Sequence, residues 1–186
     1  YTLSLHDALP IYQPGGRRRA RGRSTAGVYP AAMSTAAPEP SIFTRIIAGE
    51  IPGRFVWADD VCVAFATIEP QTPGHVLVVP REQVTTLVDA DEATVAHLAV
   101  VARRIAATQL RVFGALRPGI LVVGLDVAHL HVHVLPINEV ADINPACARP
   151  AAGTELDEAM ETLRVGLRED GWGRFVPAVL GSAALA

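Results

Sequence analysis

His129-Leu130-His131-Val132-His133-Val134-Leu135-Pro136 is the stretch that decides the fold. Polar and apolar residues alternate through it, which predicts a β-strand. A strand points every second side chain to the same side. Leu130, Val132 and Val134 then pack on one face, while His129, His131 and His133 line the other. The chain has 6 histidines, so half of them stand in this row. Imidazole is the side chain whose unperturbed pKa lies near neutrality. A row of them on a buried strand is costly unless each ring is bonded or used.

Working outward, the apolar runs Phe55–Trp57 and Val61–Phe65 read as strands separated by an acidic turn at Asp59-Asp60. Thr72-Pro73-Gly74 reads as a turn, and His75–Val79 as a third strand ended by Pro80. Gly119–Val123 is a fourth, joined to the histidine strand by Gly124–Ala128. Ser41, after the stiff Pro38-Glu39-Pro40, reads as the N-cap of a helix from Ile42 to about Ala48 that stops near Gly49. Glu92 to about Phe113 is the longest helix, with Val95, Leu98, Val101, Ile105 and Leu110 on its apolar face and Arg103, Arg104 and Arg111 on the solvated one. Residues 142–153 read as loop, and Leu156, Ala159, Met160, Leu163 and Leu167 mark a last amphipathic helix. Beyond Gly171 no period stands out, and a loose tail is expected. Consecutive strands joined by short turns predict an α+β domain: an antiparallel sheet of about five strands with helices packed on it.

Composition narrows the function classes. Half of the residues are hydrophobic and 19% are charged, as in a globular chain with a substantial core. No apolar run approaches the ~20 residues of a membrane-spanning helix. Of the 16 basic residues, all arginine, five fall before residue 33, against one of the 19 acids, Asp7. The remainder is therefore acidic, which argues against a nucleic-acid scaffold but not against a small nucleotide held by local dipoles. Cys62 and Cys147 form no CxxC pair, and reduced thiols in a cytoplasmic protein are expected.

Residues 1–40 are expected to be a non-native or disordered N-terminal extension. Tyr1–Ile11, YTLSLHDALPI, resembles the frame translation of a sequencing-library adapter. Residues 12–32 hold five arginines and no hydrophobic period, and the native start is expected at Met33. The division expected from there is a domain over 41–145 and a C-terminal loop, helix and tail over 146–186.

Three readings of the histidine row stand open. His-x-His is good metal-ligand spacing. However, the outer pair lies roughly 13 Å apart along a strand, too far for three rungs to converge readily on one ion. Two histidines with Asp126 could still do so. A second reading is a set of histidines without a task, as expected for His97 on the long helix. The third is nucleophilic catalysis. A neutral imidazole attacks when one nitrogen is free and the other is held as N–H, and neighbouring rings discourage one another from charging together.

The run HLHVHVLP resembles the histidine-triad (HIT) pattern His-φ-His-φ-His-φ-φ, where φ is apolar. SIFTRIIAGEIPGRFVWADDVCVAFATIEPQTPGHVLVVP independently resembles the N-terminal half of a Hint-like HIT protein, and the two segments together span about Ser41 to Pro136. The form Gly-Leu-Asp-Val-Ala-His before the triad is similar to a divergent bacterial branch of that family. The resemblance implies a HIT-like fold and a nucleotide hydrolase or nucleotidyl transferase acting on a nucleoside 5′-phosphate derivative, with adenylate-linked compounds expected. His131 would be the nucleophile that forms a covalent nucleotidyl-histidine. His133 would contact the phosphate and assist the leaving group. His129 would support His131, and His75 would buttress the site. The nucleotide pocket implied comprises Ile42, Phe43, Ile46, Phe65, Thr67, Ile68 and Asp126. The alternatives are a purine-nucleotide-binding module with little turnover, or a His-rich metalloenzyme.

The implied partners are a purine nucleotide or nucleotide conjugate and a second copy of the chain in a homodimer, with no nucleic acid and no membrane. No cofactor is expected. Many relatives carry a Cys-x-x-Cys zinc pair where Ser41 and Thr44 stand, so no structural zinc is expected and no metal ligand is assigned. Thr67 replaces an acid that often holds the ribose. The connection before the triad is shortened, and Asp126 stands near a position that usually donates a hydrogen bond to phosphate; an ionised carboxylate there would repel it.

Overall fold

The computed structural model describes residues 39–184. The expected adapter-like segment and start at Met33 lie outside the described residues. The elements are α1 (Ile42–Ile47), β1 (Phe55–Ala58), β2 (Cys62–Ala66), β3 (Val76–Pro80), α2 (Glu92–Phe113), β4 (Arg117–Leu121), β5 (Val132–Ile137) and α3 (Gly153–Leu167). The strands form one antiparallel sheet in the order β1-β2-β3-β5-β4, so the fold is the expected α+β class. Among the described residues no helix is long and apolar enough to cross a membrane.

Strand alternation sorts the core into two faces. On one, Ala64, Val76, Val78, Val132 and Val134 pack against Leu98, Val101 and Ile105 of α2 and Met160, Leu163 and Leu167 of α3. On the other, Val63, Phe65, Leu77 and Val79 pack under Phe43 of α1. The β1–β2 register shifts between Phe55 and Trp57. A bulge of this kind breaks the period of two. It explains why Phe55 joins the α1 face while Val56 and Trp57 both join the helix-pair face.

Three expectations need correction. The histidine strand was expected from His129, but the ladder starts at Val132. Upstream, the His129 amide bonds Val127 O and the Leu130 amide bonds Val84 O, so this backbone is tied outside the ladder. The side-chain alternation nevertheless persists, with Leu130 in the helix-side core. Second, β4 covers Arg117–Leu121 rather than 119–123, because Leu121 already pairs with His133 and Val122 leaves the sheet. Pro118, which lacks a donor, is tolerated on this edge strand.

Third, the segment after Gly171 is packed, not loose. Gly171 turns the chain at φ 85°, a conformation suited to glycine. The Phe175 ring then stacks on Trp57 with centroids 4.4 Å apart, and the Arg104 guanidinium sits 4.3 Å over Trp172. Arg104 is therefore engaged rather than simply solvated. Arg164, buried on α3, donates to Phe55 O at 2.8 Å and Pro177 O at 2.7 Å. Phe55 N–H donates to Leu180 O at 2.7 Å, so the C-terminal segment covers the outer edge of β1. The outer edge of β4 has no strand beside it among the described residues.

Candidate active site

Short-range chemistry places the first wall. Ser41 caps α1 as expected, its Oγ accepting from Thr44 N–H at 3.1 Å. The cap directs Phe43 onto the sheet, where its ring meets Phe65 edge-on at 5.6 Å and His131 edge-on at 5.0 Å. His131 and His133 stand side by side with centroids 5.0 Å apart, and His75 lies 5.2 Å beyond His133. The structure thus gathers His75, His129, His131 and His133 around one face of β3 and β5.

Fixed backbone partners determine which nitrogen of each ring carries the proton, since a carbonyl can only accept and an amide can only donate. His131 Nδ1–H donates to His129 O at 2.7 Å, leaving Nε2 with its lone pair and no partner among the described residues. Gln71 N–H donates to His75 Nδ1 at 3.3 Å, so His75 carries its proton on Nε2 and donates to His133 Nδ1 at 3.0 Å. His133 therefore keeps its proton on Nε2. His129 Nε2–H donates to Pro80 O at 2.9 Å, and its Nδ1 accepts from the Ser41 hydroxyl at 2.7 Å. One ring offers a lone pair beside another that offers an N–H donor, a pairing suited to nucleophilic displacement at a centre whose charge needs a hydrogen bond.

Burial supports the neutral forms. The His75 imidazolium is disfavoured first by burial and then by His133, and its pKa falls to about 3. Burial, then His131, lowers His133 to about 4. Burial also lowers His129, against the opposing bond from Pro80 O.

The expected pocket residues divide. Phe43 and Phe65 are buried and Ile46 packs against them. Ile42 and Ile68 are 48% and 71% exposed and lie outside the core. Thr67 Oγ1 accepts from Glu69 N–H at 3.3 Å. Asp126 is exposed on the turn before the triad. The set His129, His131 and Asp126 does not converge as metal ligands, whereas Asp59, Cys62 and His97 do. His97 also departs from expectation: far from idle, its Nε2 lies 2.8 Å from Asp59 Oδ2.

The zinc pair of relatives does not fit here. Ser41 and Thr44 present hydroxyls where thiolates would be needed. Both are committed, Ser41 to His129 and Thr44 to Gln83 Oε1 at 2.6 Å.

Long-range contacts supply what sequence reasoning missed. Gln83 Oε1 also accepts from Ser41 N–H at 2.8 Å. Gln109, buried on α2, donates from Nε2 to Gly74 O at 2.9 Å and Val134 O at 3.0 Å, tying the turn before His75 to β5. Gly74, at φ 90°, lies so close to Phe113 that a Cβ would stand 2.3 Å from its ring. A Gln inside an otherwise apolar helical stripe was the available signal for Gln109. A cavity of about 400 Å³ opens beside this turn, lined by Gln71, Thr72, His75, Phe113, Arg149 and Met160. It touches His75 but neither His131 nor His133.

A model of the HIT domain matches residues 48–140. An uncharacterized HIT-like protein of Synechocystis is 39% identical over 103 residues, covering 52% of this chain and 90% of the relative. The crystal structure of a Hit-like protein from Bartonella henselae, described as involved in cell-cycle regulation, superposes with a TM-score of 0.65 at 31% identity, over 71% of this chain and 99% of that one. A hypothetical histidine triad nucleotide-binding protein from Sulfolobus tokodaii gives 0.59 at 25% identity, over 68% and 91%. The chain belongs to the HIT family, as a divergent member of its bacterial type. Membership places it in a nucleotide-binding, hydrolase-type superfamily.

Proposed function

We propose that this protein cleaves or transfers the nucleotidyl group of a nucleoside 5′-phosphate derivative, with an adenylate-linked compound as substrate. The observation that carries the reading is the His131 ring, whose Nδ1–H is fixed on His129 O at 2.7 Å while Nε2 makes no hydrogen bond among the described residues. In the first step Nε2 attacks the α-phosphorus, an N–P bond forms, and the bond from phosphorus to the leaving oxygen or nitrogen breaks. His133 Nε2–H, held in place by His75, hydrogen-bonds the phosphate and steadies the charge on the leaving group, which takes its proton from solvent. In the second step water or another acceptor attacks phosphorus, the N–P bond breaks with its electron pair returning to His131 Nε2, and the acceptor's proton passes to solvent. Two easier displacements replace one hard one. Phe43 and Phe65 offer an aromatic wall for a purine, with Ile42 and Ile68 as rims.

The test is turnover of adenosine and guanosine phosphoramidates, aminoacyl-adenylates, ADP and dinucleoside polyphosphates, with trapping of the phosphorus adduct on His131. A His131→Ala protein with undiminished turnover rules the mechanism out. Micromolar nucleotide binding that survives His131→Ala, with no product over hours, identifies a binding module instead.

We also propose that the free edge of β4 pairs with a second copy of the chain. Ile120 is 49% exposed there, beside exposed Leu116, Val122 and Val123, and unpaired edge strands favour such pairing. The two free thiols, Cys62 and Cys147, fit a reducing, cytoplasmic setting.

A further inference from the structure

We propose that Asp59, Cys62 and His97 form a binding site for a zinc-class divalent metal ion, on the face of the sheet opposite the catalytic histidines. The three residues come from separate places: the turn after β1, the first position of β2 and the second turn of α2. One carboxylate oxygen, one sulfur and one imidazole nitrogen lie within 4.8 Å of one another. His97 Nε2 is 2.8 Å and Cys62 Sγ 3.7 Å from Asp59 Oδ2.

Tetrahedral zinc, with bonds of about 2.0–2.3 Å, sets its ligand atoms about 3.3–3.6 Å apart. The sulfur and carboxylate already stand at nearly that separation. The imidazole must withdraw by about half an ångström, and His97, with 34% of its side chain exposed, is free to do so.

The surroundings are those of a supported ligand set. Asp59 Oδ1 accepts from the amides of Val61 at 2.9 Å and Cys62 at 2.8 Å, and Trp57 Nε1–H donates to Oδ2 at 2.7 Å. These bonds fix the carboxylate without using its capacity for a metal, the part that outer partners play in metal sites. A thiolate, an imidazole and one carboxylate select zinc or cobalt over magnesium or calcium, which take oxygen ligands. Three protein ligands leave a fourth position for water. On binding, the Cys62 thiol loses its proton to solvent, the His97 proton moves from Nε2 to Nδ1, and the His97–Asp59 hydrogen bond gives way to two metal bonds. The ion would then tie α2 to the β1–β2 turn.

Cobalt(II) titration of the full chain tests this, because only a thiolate ligand gives an intense sulfur-to-cobalt charge-transfer band. That band separates the site from adventitious binding at the four catalytic histidines. We expect a one-to-one end point, an unchanged band in Cys147→Ser, and loss of the band in Cys62→Ser. His97→Gln should weaken cobalt binding at least about 10–100-fold, the scale seen when even an outer partner is lost. His97 lies on the surface of α2, so this second variant reads the site even where Cys62→Ser disturbs the core. Circular dichroism confirms its fold. Absence of the band, its survival in His97→Gln with unchanged affinity, or its loss in Cys147→Ser overturns the proposal.

Discussion

Replacing Ser41 probes the link between the first helix and the histidine row. Its hydroxyl has two tasks: the oxygen accepts from Thr44 N–H at 3.1 Å, and the proton goes to His129 Nδ1 at 2.7 Å. Loss of a serine N-cap to alanine costs about 0.5–2 kcal/mol. Leaving a buried acceptor such as His129 Nδ1 without a donor costs about 1–3 kcal/mol. Ser41→Ala should therefore destabilise the fold by about 1.5–5 kcal/mol. Glycine caps almost as well as serine, within a few tenths of a kcal/mol, yet has no hydroxyl. Ser41→Gly thus isolates the bond to His129, with an expected loss of about 1–3 kcal/mol. Urea unfolding of the three proteins measures both terms. Because His129 O holds the His131 ring, both variants should also slow the chemical step while the protein remains folded. A Ser41→Gly protein within about 0.5 kcal/mol of the parent, with unchanged turnover, would refute the idea that this hydroxyl organises the histidine row.

Acid should weaken the fold in a defined window. The folded values of His75 and His133, about 3 and about 4, lie below the ~6.5 of an unfolded histidine. Between those limits the unfolded chain binds more protons, so the stabilisation is complete above pH ~6.5 and is lost as pH falls toward the folded values. Urea midpoints measured from pH 7 to 4.5 should decline, and less steeply in His75→Gln; a flat profile contradicts the buried neutral rings. Arg164→Met should cost at least ~2 kcal/mol, because Phe55 O and Pro177 O lose their donor. Calorimetry reads that loss, and a neutral result would mean that the C-terminal segment is held elsewhere. Ile120→Lys, which places a charge on the free edge of β4, should shift the protein to monomer in sedimentation while leaving its circular dichroism intact.

Much of the sheet was legible in the chain because its signals are local. The alternation at 129–135 placed Leu130, Val132 and Val134 on the helix side of the sheet, and Glu92–Phe113 runs between the expected limits. Ser41 announced a cap, and the cap is there. Three histidines in step named the candidate nucleophile, and the structure brings His75 to His133 across β3 and β5. The resemblance to a HIT protein, carried by two separated segments, is matched by the family to which the chain belongs.

Where the sequence fell short, the deciding interaction came from far along the chain. The bulge at Val56 depends on how β1 registers with β2, and no local pattern records a register. The segment after Gly171 has no period because Trp172 and Phe175 both pack on Trp57 while Leu180 O takes the Phe55 amide, contacts that follow no helical or strand repeat. His97 looked idle because its partner, Asp59, reaches it from the far side of two strands in sequence. Composition and spacing determined which residues could do chemistry: a strand repeats every two residues, and that rule needs no neighbour. Only the tertiary structure decided how the His129 and His133 rings are held, because Pro80 O and the His75 ring come to them from neighbouring strands far away in sequence.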